Sequence, residues 1–152
     1  MGEHHPAVTP QEAQALAERV AEGMYSRDRA SQALGMKIIR VGPGLAELNM
    51  SVRGDMLNGH AICHGGFIFA LADSAFAFAC NTANESTVAA AASIDFLIAV
   101  REGNELTAEA RELWRTRRNG IYEITVSNQR GERVALFRGR SYRIGGTVVN
   151  EE

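Results

Sequence analysis

Polar and apolar positions recur with a helical period from Thr9 to about Arg29, where Ala13, Leu16, Val20 and Met24 share one stripe. Thr9 is the expected N-cap, Pro10 takes the first helical position, and Glu12 completes a capping box. This pattern predicts a surface helix laid on something larger. A hairpin follows. Met36–Val41 is one strand, Gly42-Pro43-Gly44 the turn, and Leu45–Val52 the return strand, with Ala46, Leu48 and Met50 alternating against Glu47 and Asn49. Residues 65–81 depart from this alternation. Apart from Asp73 and Ser74, small or apolar residues stand on every side. A helix apolar all round is a buried helix. At about 17 residues it is too long for one strand and too short and interrupted for a membrane span. Period two then returns in Thr87–Val100, Glu105–Arg118, Ile121–Ser127 and Arg133–Ile144, with breaks at 101–104, 118–120 and 129–132. Such short connections predict an antiparallel meander. The whole order predicts an α+β fold: one curved antiparallel sheet wrapped around a long central helix, with the N-terminal helix added outside. Residues 11–146 are expected to form a single domain, with flexible ends at 1–10 and 147–152.

Composition narrows the classes. With 152 residues, 45% hydrophobic and 22% charged, and a net charge of −2, the chain fits one domain with its own core and not a disordered segment. No run of apolar residues is long enough for a transmembrane helix, so no membrane partner is expected. Met1–Pro10 lacks the basic start and apolar centre of a secretory signal. Two cysteines, Cys63 and Cys80, are too few for a disulfide framework, and a cytoplasmic protein is expected. The mildly acidic balance gives no reason to expect nucleic acid. Fifteen of the 16 basic residues are arginine. Arginine suits bidentate phosphate and carboxylate recognition, although compositional bias accounts for most of such an excess.

The chemistry concentrates in Asn58-Gly59-His60-Ala61-Ile62-Cys63-His64-Gly65-Gly66 and in Leu71-Ala72-Asp73-Ser74. Asp73 lies mid-helix in an apolar setting, and no Arg or Lys occurs between Arg53 and Arg101. An ionised carboxylate there is costly unless paired or solvated. It is either bonded to distant groups or held for chemistry in a cleft. Two glycines open the helix, where the first N–H groups have no internal acceptor and the dipole adds positive potential. Such an end holds a developing oxyanion, or it is simply a tight turn. A metal reading of His60 and His64 is weak: they lie on a loop, with no third ligand at metal-like spacing and no Glu between them, so no metal or other cofactor is expected. Cys63 and Cys80 read as small buried residues in preference to nucleophiles. Gly65 and Asp73, eight residues apart, are separated by about 12 Å along one helix. Both cannot reach one carbonyl from a single helix. Two antiparallel copies allow it, so the spacing predicts a two-fold dimer with two shared sites.

These residues resemble the hotdog-fold acyl-CoA thioesterases. The resemblance rests on Asn58-Gly59-His60, Cys63-His64-Gly65-Gly66 and Leu71-Ala72-Asp73-Ser74-Ala75-Phe76-Ala77, and extends to Ser93-Ile94-Asp95-Phe96-Leu97 and to residues 134–146. Covering about residues 16–146, it looks most like the PaaI type of the phenylacetate degradation pathway. It implies a hotdog fold, dimers paired through their sheets and commonly joined as homotetramers, and acyl-CoA as substrate, with (hydroxy)phenylacetyl or related aryl or short acyl groups. Asp73 resembles the catalytic carboxylate, acting as general base or nucleophile. Gly65 resembles the backbone donor to the thioester carbonyl. Asn58 and His64 match positions that orient water, substrate or the loop. Gly66, Ser74 and Phe67 are expected to contact substrate. Arg115, Arg117, Arg118, Arg138, Arg140 and Arg143 are candidates for CoA phosphates or ordinary solvated surface. Phe67, Phe76, Phe78, Phe96 and Phe137 are either acyl-pocket lining or core. A non-catalytic acyl-CoA-binding domain and a hotdog hydratase or dehydratase are the competing readings. Retention of Asp73 speaks against the first, and glycines opening the helix fit hydrolysis better than the second.

Overall fold

The computed structural model describes residues 6–150. The Thr9 hydroxyl accepts from the Glu12 N–H at 3.1 Å and starts α1, Pro10–Arg27, as the capping box predicts. The helix stops two residues short of the expected Arg29. Asp28 leaves helical geometry and caps a second short helix, α2 (Arg29–Ala33), by accepting from the Ser31 N–H. The hairpin forms as β1 (Lys37–Gly42) and β2 (Leu45–Ser51). Pro43 fixes one turn position, and Gly44 takes φ +68°, where a side chain would be strained.

The central helix α3 runs Gly65–Cys80, followed by β3 (Thr87–Phe96), β4 (Glu105–Arg115), β5 (Asn119–Ser127) and β6 (Arg133–Arg143). All six strands form one antiparallel sheet in the order β1-β2-β4-β5-β6-β3. The expected meander holds for β4-β5-β6 but not for β3, which lies at the far edge against β6. Residues 97–104 cross three strand spacings, about 14 Å, to reach β4. Eight residues span up to about 26 Å, so the crossing is within reach of a short connection. It is pinned on the way: Val100 is buried, and its carbonyl accepts from the Cys63 N–H at 2.7 Å.

Alanines stand among larger residues across the inner face of the sheet. One row reads Leu48, Ala108, Val126, Ala135 and the next Ala46, Ala110, Ile124, Phe137. The alanines leave room for α3, whose Ile68, Leu71, Ala75, Phe76 and Phe78 fill the concavity. Gly139 has the same function. A Cβ there would lie 2.7 Å from the Phe76 ring.

The C-terminal segment, expected to be flexible from 147, is held by Asn84. Its side-chain carbonyl accepts from the N–H groups of Val148 and Val149, and its amide donates to the Val149 carbonyl. Val149 also fills the space that a side chain at Gly23 would need. At the other end, residues 1–5 of the expected flexible segment lie outside the described residues, while Thr9 and Pro10 belong to the cap and first turn of α1. No helix of the described chain is long and apolar enough to cross a membrane.

Candidate active site

The loop before α3 is built by Asn58. Its side-chain carbonyl accepts from the N–H of His60 (2.9 Å) and of Ile62 (3.4 Å), and its own backbone N–H donates to the Ile62 carbonyl at 2.8 Å. This Asx-type arrangement holds Ala61 at φ +58° and delivers Leu57 and Cys63 to a short antiparallel bridge. Asn58 therefore shapes the loop directly. His64 then caps α3. Its Nδ1 accepts from the Gly66 N–H at 3.0 Å, which leaves the proton of the neutral ring on Nε2.

That cap distinguishes the two glycines. Gly66 spends its N–H on His64, and a side chain there would meet the imidazole at 3.1 Å. The Gly65 N–H has no acceptor among the described residues. A free donor at the first position of a 16-residue helix points outward with the helix dipole behind it. Phe96 reaches across from the end of β3 and lays its ring over Gly65. A Cβ at Gly65 would stand 3.0 Å from its Cζ. Of the five phenylalanines that are either pocket lining or core, Phe96 is about half exposed at the mouth of the site, whereas Phe76, Phe78 and Phe137 are core. Phe67 is half-buried, with its ring edge-on to His64.

The helix is not apolar and buried all round. Gly66, Ala70, Asp73 and Ala77 form a stripe at helical spacing that stays wholly or partly open. Asp73 is half-buried on this stripe, with neither hydrogen bond nor ion pair among the described residues. Burial holds its pKa above the ordinary aspartate value. Asp73 is thus a carboxylate desolvated enough to be basic and free of internal partners, while the Gly65 donor sits two turns away on the same helix.

Ser74 turns elsewhere. Its Oγ lies 2.9 Å from the Oγ of Ser31, which is buried. The single Ser31 hydroxyl proton goes to the Asp28 carboxylate at 2.6 Å, so Ser74 is the donor to Ser31. In this structure Ser74, expected to contact substrate, forms a strut tying α2 to α3 beside Asp73. No pattern in the sequence signals that pairing, because its partners are 43 residues apart.

Neither thiol is set up as a nucleophile. Both cysteines are buried and free; burial raises the Cys63 pKa and pushes that of Cys80 up to about 12. Among the described residues no group of three or more His, Cys, Asp or Glu side chains is placed to hold a metal ion. The candidate arginines separate. Arg115 pairs with Glu112, Arg143 pairs with Glu85, and Arg140 donates to the Asn119 side chain. Arg138 stands between Ser93 and Glu123 on the outer face of the sheet. Arg117 and Arg118 have no carboxylate partner among the described residues.

Comparison with known proteins places this architecture. Residues 60–135, from within the Asn58 loop to the start of β6, match the thioesterase superfamily. The acyl-coenzyme A thioesterase PaaI of Escherichia coli is 47% identical over 131 residues, 86% of this chain and 94% of that protein. The structure of the E. coli PaaI protein superposes with a TM-score of 0.88 at 46% identity, covering 89% of this chain and 98% of the other. The TT0310 protein of Thermus thermophilus superposes at 0.75 with 41% identity over 78% of this chain and 99% of its own. The chain belongs to the thioesterase superfamily, and within it to the hotdog-fold thioesterases of the PaaI type.

Proposed function

We propose that the protein hydrolyses acyl-CoA thioesters to the free acid and CoA, in sites shared between two antiparallel copies. The observation that carries this reading is the pairing of an unspent N–H at Gly65 with an unpartnered, desolvated carboxyl at Asp73, about 12 Å apart on one helix. The Gly65 N–H donates to the thioester oxygen as it becomes an oxyanion. Asp73 of the second copy either takes a proton from water, which adds to the carbonyl carbon, or attacks that carbon itself to give an anhydride that water opens. In both routes the tetrahedral intermediate collapses by breaking the C–S bond. A thiolate is a good leaving group, which suits a site so poor in proton donors. His64 fixes the helix cap and Asn58 the loop, so both act on Gly65 by position.

The pairing is supported by the open edge of β3 and by the small-residue stripe on α3, two features that a single chain leaves uncovered. Leu113 and Trp114, each about half exposed at the end of β4, support further association into a tetramer. Phe67 and Phe96 beside Gly65 favour an aryl or arylacetyl group, and the E. coli relative comes from a phenylacetic acid degradation operon. Two free thiols fit a cytoplasmic setting. Release of free thiol from a panel of acyl-CoAs tests the activity. Asp73→Ala and Asp73→Asn are expected to lose at least about 100-fold in kcat. A wild-type protein inert toward every aryl, arylacetyl and short aliphatic acyl-CoA would overturn the reading.

A further inference from the structure

Three large apolar residues in a row, Phe96, Leu97 and Ile98, stand exposed where β3 ends. A soluble chain rarely leaves such a cluster bare without a use for it. The segment is tied at both ends. The Leu97 N–H donates to the Val134 carbonyl at 2.9 Å, and the Val100 carbonyl holds the Cys63 N–H. Phe96 pairs with the buried Ala135, so its side chain points to the helix side of the sheet. There the rim of its ring, Cζ and both Cε atoms, lies 3.0–3.5 Å from where a Gly65 Cβ would stand. The ring thus leans on the residue whose N–H is free for the thioester. Its surface beyond Gly65 stays uncovered in a single chain.

A shared site decides what comes to lie beside that ring. If the Gly65 N–H and Asp73 of the partner subunit act on one carbonyl, the carboxyl stands within about 7 Å of the Gly65 nitrogen in direct attack. As a base it stands about one water further away. Phe96, in contact with Gly65, borders that space. Within its own chain Asp73 is only half-buried, and burial is the one influence that chain exerts on its titration. Of the elements packed on α3, β1, β2 and β3 turn no titratable side chain inward. Glu112 of β4, Tyr122 of β5 and Arg143 of β6 gather at the Cys80 end, about two turns from Asp73. Asp28 is bonded to Ser31, and Arg29 of α2 is exposed. From the chain that supplies Gly65, His64 is the titratable neighbour, with its Nδ1 already accepting from the helix cap. We infer that Phe96 is a positioning residue for the reaction: its ring closes over the carboxyl of Asp73 of the partner subunit and excludes water from it. This rests on the proposed activity and pairing, and it completes from the second chain a desolvation that one chain only begins.

The experiment reads the acid-side break of the kcat–pH profile, which reports Asp73 in the complex. Phe96→Ala lets water reach the carboxyl and stabilises its charged form, so the break should move down by at least about half a pH unit. kcat on the plateau should fall about three-fold or more, as a weaker base gives. Phe96→Leu keeps an apolar cover and should hold the break within about 0.2 pH unit of the wild type. The shift should be the same with an arylacetyl-CoA and with a short aliphatic acyl-CoA. A change confined to KM for the aryl substrate would make Phe96 an acyl wall alone and overturn the inference. Mixed dimers locate the ring. In a dimer of one Asp73→Asn chain and one Gly65→Pro chain, the live site takes Gly65 from the first and Asp73 from the second. Phe96→Ala placed on the Asp73→Asn chain should move the break, and placed on the Gly65→Pro chain should leave it where it is. These dimers lose one ring only, and they carry the test if the Phe96→Ala homodimer does not assemble. A break unmoved from either chain, or moved from the Gly65→Pro chain, overturns the inference and leaves the activity standing. A wild type inert toward every acyl-CoA overturns the activity reading, and this inference with it.

Discussion

Gly65→Pro removes one atom of interest, the amide hydrogen, at a place where the helix tolerates its loss. Proline is favoured at the first helical position, and Gly65 occupies that position in α3. The preceding residue must avoid helical geometry, and His64 already sits at φ −60°, ψ 131°. No internal hydrogen bond is broken, since the Gly65 N–H has no acceptor among the described residues. The cost is steric: a Cβ meets the Phe96 ring at 3.0 Å. That ring is about half exposed, so it can swing aside. Gly65→Ala carries the same Cβ but keeps the N–H, and so isolates the steric part. Deleting one oxyanion donor costs about 100- to 1,000-fold in kcat, or about 2.7–4 kcal/mol. The Pro variant should therefore fall about 100-fold or more below the Ala variant in thiol release, with melting temperatures within a few degrees of each other. A Pro variant within about three-fold of Ala would refute the role given to this N–H.

Four further outcomes follow from particular contacts. Asp73→Asn should abolish turnover yet raise the melting temperature near pH 7. A folded-state pKa above the unfolded one means that ionised Asp73 opposes folding, a penalty that grows as pH rises from the unfolded pKa through the folded one. For the same reason the wild-type kcat should drop on the acid side at a pH above the ordinary aspartate value, and a pH–rate profile breaking at or below that value would contradict it. Gly139→Ala forces a Cβ to within 2.7–2.9 Å of the fully buried Phe76 ring, so a thermal melt should show a loss of about 1–3 kcal/mol. Ser74→Ala leaves the buried Ser31 hydroxyl without its donor; if Ser74 acts as a strut alone, it should cost about 1 kcal/mol in stability while KM for the acyl-CoA stays put, and a large rise in KM would assign Ser74 a substrate contact as well.

What is legible in the sequence is local. The Thr9 cap, the Pro43-Gly44 turn and the inward faces of β2, β4 and β5 follow from residues a few positions apart. The Asp28 break escapes such a reading because helical periodicity runs on past it, and only the bond to Ser31 shows that the chain has restarted. The place of β3 escapes it for a different reason. An eight-residue connection fits either a neighbour or a crossing, and the choice is made by β4 pairing with β2. At the site, Asp73 and Gly65 stand out in the sequence as a charge and a donor without local partners, and the structure leaves both unspent. The Phe96 ring over Gly65 and the Ser31–Ser74 strut join segments far apart in sequence and carry no local pattern.

The central claim is that each site takes Gly65 from one chain and Asp73 from another. A mixed dimer, purified through two different tags, holds one Gly65→Pro chain and one Asp73→Asn chain. If the sites are shared, one site collects both lesions and the other neither, so the mixed dimer should show about half the wild-type activity while each parent homodimer is inactive. If each chain held a complete site, both sites in the mixed dimer would carry a lesion, and a mixed dimer as inactive as its parents would contradict the account.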